Sequence, residues 1–110
     1  MCDYKESLHL EHNELHGSIP LSWGAMTSLK ELSLHHNSID NALPHFICDA
    51  MPSLTFLLLN NNHLEGSIPQ ELGNCTSLKQ LYLDENFLRG RPPKELGNLH
   101  NLGMYGVILV

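Results

Sequence analysis

The 110 residues predict an α/β-type solenoid, mostly β and irregular, in which short parallel strands line a concave face. Three observations carry that prediction. A short block recurs as Leu8-His-Leu10-Glu-His-Asn13, Leu32-Ser-Leu34-His-His-Asn37, Leu57-Leu-Leu59-Asn-Asn-Asn62 and Leu81-Tyr-Leu83-Asp-Glu-Asn86, its asparagines 24, 25 and 24 residues apart. A second anchor, Pro20, Pro44, Pro69 and Pro93, follows seven residues after each asparagine, so the whole unit repeats. A fixed period in the range of 20–50 residues is the mark of stacked coils, each too small to bury its apolar side alone.

Within each coil the elements follow in order. The two leucines of the block alternate with polar residues, so they point inward from a short strand while the residue between them faces solvent. The asparagine stands where the chain leaves the strand, and its amide suits the backbone groups that such a turn leaves unpaired. Leu15, Ile39, Leu64 and Leu88 then return to the core. Gly17, Asn41, Gly66 and Gly90 come next, and these residue types tolerate the positive φ of a bend. The proline fixes an extended or turn conformation on the outer wall. Met26, Met51, Cys75 and Leu99 form a further core column, followed by Leu29, Leu54, Leu78 and Leu102.

These columns together resemble the plant-type leucine-rich repeat, LxxLxLxxNxLxGxIPxxLGxLxx, and the resemblance covers essentially the whole chain. The third copy fits it best, through Leu54, Leu57, Leu59, Asn62, Leu64, Gly66, Ile68, Pro69, Leu72 and Gly73. It implies a right-handed leucine-rich-repeat superhelix and a structural asparagine ladder of Asn13, Asn37, Asn62 and Asn86. One solenoid domain over residues 1–110 is expected, with coils at about 5–28, 29–53, 54–77 and 78–101 and a partial one at 102–110. Lys5 takes a leucine position, Cys2 a core column, and Val107 to Val110 would leave an apolar edge, so the sequence reads as part of a longer array.

Composition narrows the partners. Six basic against twelve acidic residues give a net charge of −6, whereas nucleic acids and anionic membranes reward a basic face. No apolar run reaches the length of a membrane span, so no membrane contact by this segment is expected, and no signal peptide follows Met1. Cys48 falls in the stretch that makes the second copy one residue longer, out of column with Cys2 and Cys75. The cysteines are therefore expected as buried free thiols acting as small apolar groups, a Cys48–Cys75 disulfide being the alternative. Asn74-Cys75-Thr76 is a candidate glycosylation site.

Binding residues are sought on the solvent-facing strand positions, where the fold makes no demand on side-chain identity. Phe56, Leu58 and Tyr82 fall on adjacent strands, Leu58 and Tyr82 in one column, and make an apolar patch of the kind that anchors an interface. His35, His36, Asn60 and Asp84 complete the candidate partner-binding face. Alignment sets His12 beside His36 and Glu11 beside His35, but a flat sheet gives such a group no supporting shell, and the expectation is a solvated polar face without metal. Asp84 and Glu85 beside Lys79 read as hydrated surface. Pro92 interrupts the column Ile19, Leu43, Ile68, which implies a lost buried side chain.

No nucleophile elbow, phosphate loop, HExxH helix or paired metal-binding cysteines occur, so no catalytic residue and no cofactor are expected. The resemblance implies a module of the extracellular domain of a plant receptor-like kinase or receptor-like protein that binds a protein or peptide ligand or co-receptor. The alternative is that it resembles soluble plant cell-wall inhibitors of polygalacturonase, and a non-functional truncated product is a third reading. An extracellular or apoplastic location rests on the resemblance alone.

Overall fold

The computed structural model describes residues 6–19 and 26–102 and the strand Val107–Ile108. The expectations placed on Cys2, Lys5, Pro20 and Val110 fall outside those residues.

One residue triplet per coil adds a strand to a parallel sheet. β1 (Ser7–His9), β3 (Glu31–Ser33), β5 (Phe56–Leu58), β7 (Gln80–Tyr82) and β9 (Val107–Ile108) follow one another in sheet order. The register keeps like with like: Leu8 pairs with Leu32, Leu32 with Leu57, and Leu57 with Leu81. Two shorter parallel ladders form beside it, β2 (His16–Gly17) with β4 (Ser38–Ile39) and β6 (Glu65–Gly66) with β8 (Phe87–Leu88). The bonds His63 N–H to Ile39 O (2.8 Å) and Glu65 N–H to Asn41 O (3.0 Å) join the two pairs across the middle of the stack.

The helical wall opposite the strands in sequence is short. α1 spans Ile47–Ala50, and 3₁₀ helices span Gln70–Asn74 and Lys94–Asn98. The 3₁₀ helices lie close together at Gly73, where a Cβ would collide with the backbone carbonyl of Glu95. That contact explains the small residue in this column, since only glycine lets two backbones approach so closely.

Burial follows the columns. Leu32, Leu34, Leu57, Leu59, Leu81 and Leu83 are buried, as are Met26, Met51, Cys75 and Leu99 and the following Leu29, Leu54 and Leu78. Expectations fail at the margins of the stack, where Leu8, Leu10 and Leu102 are only half-buried. Leu15 remains 39% exposed and Leu88 half-buried, whereas Ile39 and Leu64 in the same column are buried. A column residue is covered by the coils on both sides of it, and the described residues cover these two from one side only. For the same reason Pro92 is exposed, and Ile68 beside it in coil 3 is only half-buried although coils lie on both sides. Replacing Pro92 by an aliphatic residue would thus gain little transfer energy.

The cysteine expectation is overturned as well. Cys48 and Cys75 form a disulfide with Cα atoms 5.1 Å apart, a separation within the usual span for such bridges. Coil 2 absorbs its extra residue in α1, a wider turn than the 3₁₀ helix used by coils 3 and 4. That turn carries Cys48 across to the next coil, which simple column counting could not show.

Left-handed backbone appears in two columns. Gly17, Asn41, Gly66 and Gly90 have φ of 87°, 65°, 80° and 81°, as their residue types suggest. Less visible in the sequence, His12, His36, Asn61 and Glu85 sit at φ 57–58° immediately before each ladder asparagine. Asparagine suits this region and glutamate does not. Glu85→Asn, at an exposed position, is therefore expected to stabilise the fold by about 0.5–1 kcal/mol. A urea midpoint that stays put or falls would contradict it.

Candidate functional site: the concave sheet

The four ladder asparagines set the frame on which the face is built. Asn62 is 3% exposed, and its Nδ2 donates to Leu34 O of the preceding coil (2.9 Å) and to Leu59 O of its own (3.1 Å). Its Oδ1 accepts from Ile39 N–H at 3.0 Å. Asn37 repeats the pattern with Leu10 O, Leu34 O and the N–H groups of Asn13 and Leu15, and Asn86 with Leu59 O, Leu83 O and Leu64 N–H. Asn13 is exposed, and among the described residues its side chain bonds only within its own coil, to Leu10 O and Glu11 O. The rungs of Asn37, Asn62 and Asn86 thus each tie one strand exit to the one before it, so the side chains on the sheet are held at a spacing of about 4.8 Å.

On that frame Phe56, Leu58 and Tyr82 share a half-buried apolar patch. Leu58 pairs in register with Tyr82, and Phe56 lies between Glu31 and Gln80 in the parallel column. Ser33, grouped with the solvent-facing residues by sequence, is only 2% exposed. It stands between His9 and Leu58 in its column and is overshadowed by both larger neighbours. Phe56 also closes one side of a shallow hollow of about 410 Å³, edged by Glu6, Lys30, Glu31, Thr55 and Lys79. An ion pair of 3.8 Å joins Lys30 Nζ to Glu6 there.

The polar half of the face adjoins this patch. The rings of His12 and His36 are stacked, centroids 4.4 Å apart and 10° from parallel, and His35 meets both edge-on at 5.5 Å. His9 lies 3.7 Å from Glu11 and 3.6 Å from Glu31. Burial lowers the pKa of His35 from the ordinary 6.5, opposed by the Glu11 carboxylate and reinforced by His36, His12 and His9. Among the described residues no group of three His, Cys, Asp or Glu side chains is placed to hold a metal.

Glu11, His35, Asn60 and Asp84 form the next column by the repeat alignment. Buried atoms of three of them, Glu11 Oε1, His35 Nδ1 and Asp84 Oδ1, make no hydrogen bond to the described chain. The amide of Asn60 turns aside to Asn61 Oδ1 at 3.0 Å. Sequence reasoning named these residues but had no signal for their unmatched hydrogen-bonding capacity. His36 is exposed, and its left-handed backbone turns its ring against His12. Asn74 lies exposed at the last residue of the 3₁₀ helix Gln70–Asn74, away from this sheet.

Residues 6–26, 28–50, 53–75 and 77–99 each match the Leucine Rich Repeat family model. The chain belongs to the leucine-rich repeat family. Among solved structures this leucine-rich repeat is similar to the BIR2 ectodomain of Arabidopsis thaliana, with 34% identity and a TM-score of 0.81 over 86% of this chain and 50% of that one. It is similar to the Arabidopsis thaliana BIR3–SERK2 complex, with 36% identity and a TM-score of 0.84 over 93% of this chain and 56% of that chain. The Arabidopsis receptor kinase HAESA, solved with the peptide hormone IDA and the co-receptor SERK1, matches at 30% identity and a TM-score of 0.86, over 94% of this chain and 18% of that one. The leucine-rich repeats here span little more than half the length of these structures, or less. No curated protein matches the chain. Among the described residues no helix is long and apolar enough to cross a membrane.

Proposed function

We propose that this chain is a segment of the extracellular domain of a plant receptor-like kinase or receptor-like protein, and that its concave sheet binds a protein or peptide. The observation that supports it most is the pairing of an apolar patch with a row of unmatched polar atoms. Phe56, Leu58 and Tyr82 supply area for an apolar anchor, and Glu11, His35 and Asp84 supply hydrogen-bonding capacity one column away. A ligand laid across the coils would meet both at once. Buried polar atoms without partners are costly, so a ligand that satisfies them gains more than the contact itself. The Cys48–Cys75 disulfide adds support for an oxidising, extracellular setting. Similarity to a receptor kinase solved with a peptide hormone points the same way.

The test uses peptides selected from a displayed random library on the immobilised chain. Phe56→Ala with Tyr82→Ala is expected to abolish retention of the selected peptides, because hot-spot aromatics cost roughly 2 kcal/mol or more each on truncation. Circular dichroism of the double variant should stay that of the parent. Peptides that bind both proteins equally would remove the patch from the site.

A further inference from the structure

Asn74-Cys75-Thr76 is a glycosylation sequence whose central residue is one half of the Cys48–Cys75 disulfide. We propose that Asn74 accepts an N-linked oligosaccharide, and that it does so only while Cys75 is still a free thiol, so that closure of the disulfide ends the opportunity. The inference rests on the extracellular reading above, because both modifications belong to the secretory route.

Geometry sets the two events against each other. A glycosyl-transferring enzyme must take in Asn74, Cys75 and Thr76 together, since the sequence it reads spans all three. In the folded chain Asn74 and Thr76 are exposed, but the backbone of the three residues and the Cys75 side chain are held in place. Cys75 is 3% exposed and covalently joined to α1 of the preceding coil. Its N–H donates to Leu72 O at 3.2 Å, and Thr76 N–H donates back to Asn74 O at 2.9 Å. Asn101 Nδ2 of the following coil holds Thr76 O at 3.1 Å. The hydrogen bonds open with the coil, but the covalent tether does not.

The chemistry of each step balances. In the first, Asn74 Nδ2 forms a C–N bond to the anomeric carbon of a lipid-linked oligosaccharyl diphosphate. The anomeric C–O bond breaks, the lipid diphosphate leaves with the electron pair, and an amide proton passes to a base of the transferase. In the second, the thiols of Cys48 and Cys75 lose two electrons and two protons to the disulfide of an oxidoreductase, which is reduced to its dithiol. Because Asn74 itself is exposed, a glycan already attached does not obstruct closure. The order glycan first, disulfide second is therefore open, and the reverse is closed.

The experiment translates the chain into microsomes behind a cleavable signal peptide and reads occupancy of Asn74 from the mass lost on enzymatic deglycosylation. Wild type should be partly occupied. Cys48→Ala, which keeps the sequon but removes the partner thiol, should raise the occupied fraction at least about twofold, and dithiothreitol should do the same to wild type. Asn74→Gln sets the zero. Transfer takes place on the unfolded chain, so the readout holds even where Cys48→Ala fails to fold, and no ligand is involved, so failure here is separate from failure of the binding reading. Equal occupancy in wild type, Cys48→Ala and reduced wild type would overturn the competition. Absence of glycan in every arm would overturn the site.

Discussion

Asn62→Leu is expected to lower the free energy of unfolding by about 3–5 kcal/mol, more than any other substitution considered above. Leucine has the same branched skeleton as asparagine and is the larger of the two, so the loss does not come from a cavity. It comes from the N–H of Ile39, which would remain buried with no partner, and from the carbonyls of Leu34 and Leu59, which would each lose one of two amide donors and keep only Asn37 Nδ2 and Asn86 Nδ2 respectively. A buried orphan costs about 1–3 kcal/mol and each lost amide bond about 0.5–1.5 kcal/mol. Asn13→Leu serves as the comparison, since the Asn13 side chain is exposed and, among the described residues, bonds only its own coil. Its carbonyl partners can turn to water, and the expected cost is about 1 kcal/mol or less. Urea unfolding of both variants decides the matter. Losses of equal size would mean that burial does not govern the ladder.

Removing the disulfide with Cys48→Ala and Cys75→Ala should cost roughly 3–4 kcal/mol, the chain-entropy value for a closed loop of this length. The bridged residues are 27 apart in sequence, so the unfolded chain regains a sizeable loop when the link is cut. Reduction of the parent with dithiothreitol should reproduce the shift in denaturation midpoint without any substitution. A parent protein that titrates with free thiols at these positions and shows no response to reductant would refute the bridge.

The frame of the fold was legible in the sequence because each column repeats. Leucines at fixed offsets, the asparagines and the positive-φ residues Gly17, Asn41, Gly66 and Gly90 announce their roles through chemistry that few other residues supply. The left-handed turn before each asparagine was hidden, because His12, His36 and Glu85 carry no sign of it and only Asn61 hints at it. The disulfide was hidden for a different reason. Counting columns assumes that every coil spends the same number of residues per turn, and α1 breaks that assumption locally. The candidate face was legible as a set of residues and their pairings, since Leu58 does lie beside Tyr82 and His12 beside His36. What the letters could not convey is depth: Ser33 sinks beneath its neighbours, and three polar atoms of Glu11, His35 and Asp84 end up enclosed without a hydrogen-bond partner among the described residues.

The asparagine rungs act on backbone atoms alone, and this has a consequence for how recognition can change. Since Asn37, Asn62 and Asn86 grip carbonyls and amides, nothing about the pitch of the stack depends on which side chains look out from the sheet. The scaffold works as a ruler whose markings are fixed while the labels are free. Exchanging Phe56, Leu58 or Tyr82 rewrites what the surface reads without moving the positions at which it reads.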